Sequence, residues 1–191
     1  MATITIFGNG GYGQALDATL SKGGATIQHI VSSQKDEQVE GDLVILAVPY
    51  AALEVIADTY GEKLAGKVVV DITNPVDFDT FDGLTVDAGS SAAAELQAKI
   101  PAARVVKAFN TNFVATVASG EIAGEPTTVL AAGDDADAKA TLIEAVTAAG
   151  LRGVDAGSLK RARELEALGF LQMTLAAGEK TSWTGGFALT K

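Results

Sequence analysis

Apolar residues along the chain fall into two alternating rhythms. Short runs at residues 3–7, 26–31, 43–48, 67–72, 103–107, 127–132 and 152–155 read as strands. Several are continuously apolar but for a single residue, "VVVDI" among them, which is how strands read when helices cover both faces of the sheet. Between them the period lengthens. Tyr12, Ala15, Leu16, Thr19 and Leu20 recur at helical spacing, and Gly23 and Gly24 close that helix. A second helix is expected from Ala51 to about Leu64, and a third from Ser90 or Ser91 to the stop at Pro101. The stretch "GDDADAKATLIEAVTAAGL" predicts a helix capped by Asp134, with Asp137 in its first turn. Ala138, Leu142, Ala145, Val146 and Ala149 form its buried stripe, and Gly150 ends it. The alternation predicts an α/β fold, a doubly wound and mainly parallel sheet.

Three stretches break the rhythm. About ten residues separate the second and third strands, which leaves room for a turn or so of helix in that crossover. Residues 73–89, "TNPVDFDTFDGLTVDAG", form a long loop rich in Asp and Gly, either functional or a surface connection. From about Ser158 a helix begins amphipathic, with Lys160, Arg161, Arg163, Glu164 and Glu166 expected outside and Leu159, Ala162 and Leu165 inside. It then turns apolar nearly all round over Ala167–Ala177, so that part should be buried against the sheet, a second subunit or a ligand cavity. "GGFALT", 185–190, could add a short closing strand. The division expected is a nucleotide-binding domain over 1–157 and a C-terminal helical extension over 158–191, packed on that domain or on a partner copy.

Composition narrows the function. The 191 residues are 48% hydrophobic and 20% charged, enough for one domain with a substantial core. A net charge of −10 argues against nucleic acid and anionic membranes as partners. Cysteine is absent, which removes disulfides, thiolate nucleophiles and thiolate metal sites. The longest apolar stretch, "LVILAVPYAAL" at 43–53, is too short to span a bilayer, and no basic leader precedes the first strand. The expectation is a cytoplasmic protein acting on small molecules.

Directly behind the first strand stands "FGNGGYGQAL". Gly8, Gly10 and Gly13 have the G-x-G-x-x-G spacing between a strand and a helix. The first glycine permits a tight turn, the second lets a pyrophosphate approach the backbone, and the third lets helix and strand pack closely. Gly8, Asn9, Gly10, Gly11, Tyr12 and Gly13 are therefore the candidate dinucleotide cradle. An NAD site usually carries a carboxylate about 20 residues further on. Here that region reads "VSSQK": Ser32 and Ser33 can donate to a 2′-phosphate and Lys35 can neutralise it, which favours NADP(H). Asp36, one residue on, is the competing feature, since a small shift of the loop would put it on the ribose.

A carbonyl or alcohol dehydrogenase needs a positioned acid or base beside the hydride. The chain offers few. Its one histidine, His29, falls in the second strand and reads as a packed residue. Lys107 ends a strand, either as an acid or as an ion-pair partner. No catalytic residue is assigned. An acceptor whose own ring absorbs the charge, such as a flavin or deazaflavin, needs only to be aligned with the nicotinamide.

The series "FGNGGYG", "ILAVPYAAL", "VVVDITNP", "VVKAFNT", "AAGDDADAKA" and "VDAGSLKRARELE" resembles the coenzyme F-420-dependent (F420-dependent) NADP oxidoreductase family along nearly the whole chain. The resemblance implies a compact Rossmann domain, often a homodimer, in which hydride passes between nicotinamide C4 and deazaflavin C5. It also implies that Ala47, Val48 and Pro49 border the dinucleotide. Asn74 and Pro75 would lie toward the nicotinamide ribose, with Phe109, Asn110 and Thr111 flanking the ring. The other readings are core packing for Phe109 and an ordinary turn for Asn74-Pro75. The chain departs from the family pattern after the second strand, which is followed by a shorter segment carrying Ser-Ser-Gln-Lys in place of Ser-Arg. Lys160, Arg161 and Arg163 are either an attractive patch for an anionic acceptor tail or a solvated helix face. The acceptor, F420, a flavin or a similar conjugated ring, stays open. So do two other functions, an NADP(H) sensor without turnover and a carbonyl reductase.

Overall fold

A computed structural model describes residues 3–190. Strands β1 (Thr3–Phe7), β2 (Thr26–Ile30), β3 (Leu43–Leu46), β4 (Val68–Asp71) and β5 (Arg104–Lys107) run parallel. Helices α1 (Gly11–Leu20), α2 (Ala52–Tyr60) and α3 (Ala92–Lys99) connect them. After a short helix α4 (Val114–Ser119) and a two-residue hairpin, β6 (Glu121–Ile122) with β7 (Glu125–Pro126), the chain enters β8 (Thr128–Gly133). Helix α5 (Ala136–Ala148), strand β9 (Arg152–Gly157) and helix α6 (Ala162–Ala177) complete it. The seven-stranded sheet has the order β2-β1-β3-β4-β5-β8-β9. β8 runs antiparallel to β5, an exception to the otherwise parallel sheet.

Alternating side chains of the inner strands feed two cores. Ile4, Ile6, Ile45, Val70 and Val106 meet Leu16, Leu20, Leu142 and Val146 on one face. Phe7, Val44, Leu46, Val69 and Val105 meet Leu53, Ile56 and Leu96 on the other. Burial on both faces is why the strands carry no polar alternation.

Local chemistry corrects several sequence expectations. The fourth crossover helix is capped by Asp135, whose carboxylate accepts from the Ala138 N–H at 2.7 Å, while Asp134 accepts from the Leu159 N–H at 2.9 Å. Helix α2 stops at Tyr60, short of Leu64. The crossover between β2 and β3 contains no helix: side chains stitch it down, Gln28 to the backbone of Gln38 and Glu40, and Thr5 to that of Gly41. Glu166 is fully buried, not on the outer face. It caps α3 by accepting from the Ala92 N–H at 2.9 Å, alongside the expected Ser91 cap. Residues 185–190 form no strand; this tail is tied down where Arg152 donates to the Leu189 carbonyl. The apolar half of α6 is buried only along one side, and Leu171 is 50% exposed.

Candidate functional site

The chain leaves β1 toward β2, then returns across the sheet to β3. Open α/β sheets bind ligands at such a reversal, at the carboxyl ends of the strands. Gly8 follows β1, and the backbone there needs its glycine. Its φ is +99°, and a Cβ would lie 2.3 Å from the Ala47 carbonyl oxygen, just past β3. Gly13 is packed as tightly, 2.6 Å from the Gly8 oxygen. Gly10 and Gly11 are different: a Cβ on either would meet nothing within 4 Å. The open space lies over the first turn of α1, which has no side-chain cap and no acidic residue. Free N–H groups at a helix start, with room above them, fit a diphosphate. The Gly8 N–H donates to the Ile30 carbonyl at 2.8 Å. His29 supports the loop from outside, its Nδ1 2.9 Å from the Gly8 oxygen and its Nε2 3.0 Å from Asp17 Oδ2.

Ser32, Ser33 and Lys35 are exposed on the loop that follows β2, and no hydrogen bond or ion pair to the described residues engages their side chains. Gln34 braces the turn by accepting from the Val31 N–H. Asp36 is taken by Lys63, whose ammonium contacts its carboxylate and its carbonyl. That pairing holds the Asp36 carboxyl below the usual carboxylate range. The side chain that would have suited a ribose diol is thus engaged by the turn that follows α2.

Beside the glycine loop opens a cleft of about 800 Å³, within the range of small-molecule sites. Tyr12, Ala47, Val48, Pro49, Asn74 and Asn110 line it together. Asn74 and Asn110 are reciprocally bonded. Asn74 Nδ2 donates to the Asn110 carbonyl, and Asn110 Nδ2 donates to Asn74 Oδ1, each at 2.8 Å. Asn110 Nδ2 also reaches the Leu165 carbonyl, fixing α6 over the loop. Phe109 does not line the cleft. It is fully buried in the core beneath, with φ +62°, a left-handed conformation uncommon for a phenylalanine. Tyr12 secures that turn: its hydroxyl lies 2.8 Å from the Phe109 carbonyl and 3.0 Å from that of Asn112. Burial drives the Tyr12 phenol pKa up. Thr111 and Pro75 are buried away from the cleft wall.

Lys107 is locked. Its ammonium is fully buried, 2.8 Å from both Asp71 Oδ2 and Glu166 Oε1, with the Thr73 carbonyl as third acceptor. All three protons are used, so the ion-pair reading holds and no acid is presented to the cleft. Burial raises the Glu166 pKa, against the lowering effect of Lys107. The cleft's other phenol, Tyr50, donates to Glu95 at 2.7 Å.

The far wall escaped sequence reasoning. Phe113, Trp183, Met173 and Phe78 form it, with the Phe113 and Trp183 rings 4.9 Å apart and Phe78 70% exposed. Phe113 and Trp183 lie 70 positions apart and carry no periodic signal; the hint in the sequence was the apolar run Ala167–Ala177, which holds Met173 and was expected to face the sheet, a second subunit or a ligand cavity. Thr73 was also missed. Its hydroxyl is buried at the cleft without a partner, as are the side-chain oxygens of Asn110 and Asn112. Such orphaned groups suit a ligand's amide.

The fold is a doubly wound, mainly parallel α/β sheet of the dinucleotide-binding kind, with an open cleft beside its glycine loop. No protein-family model matches the chain. The F420-dependent NADP reductase of Methanocaldococcus jannaschii is 31% identical over 157 residues, 79% of this chain and 69% of the relative. Metalloreductase STEAP3 of Rattus norvegicus is 34% identical over 141 residues, 72% of this chain; the chain spans only 27% of that relative's length. The crystal structure of a candidate F420-dependent NADP reductase from Arthrobacter sp. FB24 has a TM-score of 0.88 with 100% of both chains covered, at 24% identity, a likeness of fold. The chain belongs to the F420-dependent NADP reductase family, whose members are NADP-dependent oxidoreductases.

Proposed function

We propose that the protein transfers hydride between NADP(H) and a deazaflavin, flavin or comparable conjugated ring. NADPH, when bound, supplies a hydrogen with its electron pair from nicotinamide C4, and the acceptor's charge is balanced by a proton from water. The chain's own residues bind and align. The α1 N-terminus and the open backbone at Gly10 and Gly11 hold the diphosphate, and Ser32, Ser33 and Lys35 take the 2′-phosphate. Ala47, Val48 and Pro49 would border the dinucleotide, and the Thr73 hydroxyl and Asn110 Oδ1, buried beside the cleft without partners, would accept from a nicotinamide carboxamide.

One observation carries this reading: a large aromatic cleft adjoins the cradle, and its phenols are already committed while Lys107 is sealed beneath. Tyr12 donates to backbone, Tyr50 to Glu95 and Lys107 to its two carboxylates. Alignment and exclusion of water are what such walls supply, and a ring acceptor asks for little else. The test is NADPH oxidation, followed at the nicotinamide absorbance, with deazaflavins, flavins, quinones and simple aldehydes. Turnover with the conjugated rings and none with the aldehydes is expected; the reverse order would overturn the reading.

A further inference from the structure

We infer that Tyr12 is a positioning residue whose hydroxyl, clamped on the Phe109–Asn112 turn, sets the nicotinamide end of the cofactor relative to its diphosphate; the inference rests on the reductase reading above. Tyr12 is the second residue of α1, in the first turn, where N–H groups have no intrahelical partner and suit a diphosphate. It also lines the cleft, and its hydroxyl lies 2.8 Å from the Phe109 carbonyl and 3.0 Å from that of Asn112, on the loop after β5. One residue thus spans both halves of the site, with its backbone at the cradle and its phenol at the turn.

The turn needs such a clamp. Phe109 holds φ at +62°, a conformation that phenylalanine seldom adopts. The turn closes where the Asn112 N–H donates to the Phe109 carbonyl at 2.9 Å. Asn74 ties the Asn110 carbonyl to the loop after β4, and Asn112 Nδ2 ties the turn to β8 through the Thr128 carbonyl at 2.9 Å. The tie from the turn to the cradle is the Tyr12 hydroxyl. What the turn presents is Asn110 and Asn112, both lining the cleft, each with a buried side-chain oxygen that no described residue engages. Such an oxygen recognises a ligand N–H only while its backbone is held, and a misplacement of about 1 Å forfeits the contact. Removing the phenol oxygen leaves the diphosphate grip intact and frees the turn that faces the nicotinamide.

The test compares two ligands by calorimetry: NADPH, and 2′-phosphoadenosine diphosphoribose, which is the same molecule without the nicotinamide. Tyr12→Phe is expected to keep the affinity for the truncated ligand within about twofold and to lower that for NADPH by about three- to tenfold, the effect of one lost hydrogen bond. A 4-aminophenylalanine in place of Tyr12 keeps a donor and should restore the ratio. Thr19→Val is the control for a merely structural tie: the Thr19 hydroxyl donates to the Val117 carbonyl at 3.1 Å, joining α1 to α4 without lining the cleft. It should lower the melting temperature and leave the ratio of the two affinities unchanged. Equal losses for both ligands in Tyr12→Phe, a loss for neither, or the same change of ratio in Thr19→Val overturns the inference, while NADPH oxidation by the unmodified protein with a conjugated ring leaves the reductase reading standing. If the unmodified protein binds neither ligand, the reductase reading falls and takes this one with it.

Discussion

Gly169 in α6 stands hard against Asn74: a Cβ built on the glycine would lie 2.7 Å from Asn74 Oδ1 and equally close to the Asn110 carbonyl. The helix, the loop after β4 and the loop after β5 therefore meet at one point, and the reciprocal asparagine pair is what they share. Gly169→Ala is expected to cost about 1–3 kcal/mol in chemical denaturation, the usual cost of overpacking. The KM for NADPH should rise with it, because the displaced pair borders the cleft.

The two kinds of glycine in the cradle should separate by experiment. Gly8→Ala forces a side chain into the Ala47 carbonyl at a positive φ, and should destabilise the fold by several kcal/mol or prevent its recovery. Gly10→Ala meets nothing in the protein and has an ordinary φ of −75°. Its melting temperature should scarcely change, while calorimetry should show NADPH affinity down by about tenfold or more, because the methyl occupies the diphosphate's path.

Cofactor preference should reside in the loop after β2. Ser33→Asp places a carboxylate where a 2′-phosphate is proposed to sit, and should lower NADPH affinity about tenfold or more while sparing NADH. Lys63→Ala releases Asp36 from its ion pair and should push the preference the same way, to a smaller extent. Unaltered NADPH affinity in both variants, measured by nicotinamide fluorescence, would place the phosphate elsewhere.

The buried cluster gives a pH signature. The Glu166 pKa is raised in the folded state, so the native protein keeps this proton to higher pH than the unfolded chain does. The contribution of the Glu166 proton is then greatest at acid pH and is lost as pH rises from the ordinary glutamate value of about 4.3. Lys107→Met leaves Asp71 and Glu166 buried without their cation, and should cost about 3–5 kcal/mol near neutrality. That deficit should shrink toward pH 5, where a carboxylate can protonate. Denaturation midpoints at pH 5 and 7.5 check both the size and the slope.

What the sequence made legible was whatever depends on near neighbours. Gly8 and Gly13, the Ser91 cap and the largely apolar strands are local rules, and they led to the doubly wound sheet. The antiparallel direction of β8 follows from its pairing with β5, Val106 opposite Gly133 and Lys107 opposite Ala132, a tertiary fact with no local trace. Glu166 looked like an outer-face residue because helical periodicity treats every charge as solvated, whereas its partners Lys107 and Ala92 come from 59 and 74 positions away. Phe109 shows the same limit from the other side. The motif "AFNT" pointed to a loop that reaches the cleft, but the left-handed turn at Phe109 sends its ring into the core, while Asn110 reaches the cleft wall.

The central claim is direct hydride transfer from a nicotinamide held by the cradle to a ring in the aromatic cleft. It is tested most directly by following deuterium from C4-labelled NADPH, of each stereochemistry in turn, into a deazaflavin, whose C5–H does not exchange with water. Mass spectrometry of the reduced ring should find the label from one of the two stereoisomers retained on carbon. A product carrying only solvent hydrogen, whichever isomer is supplied, would contradict direct transfer.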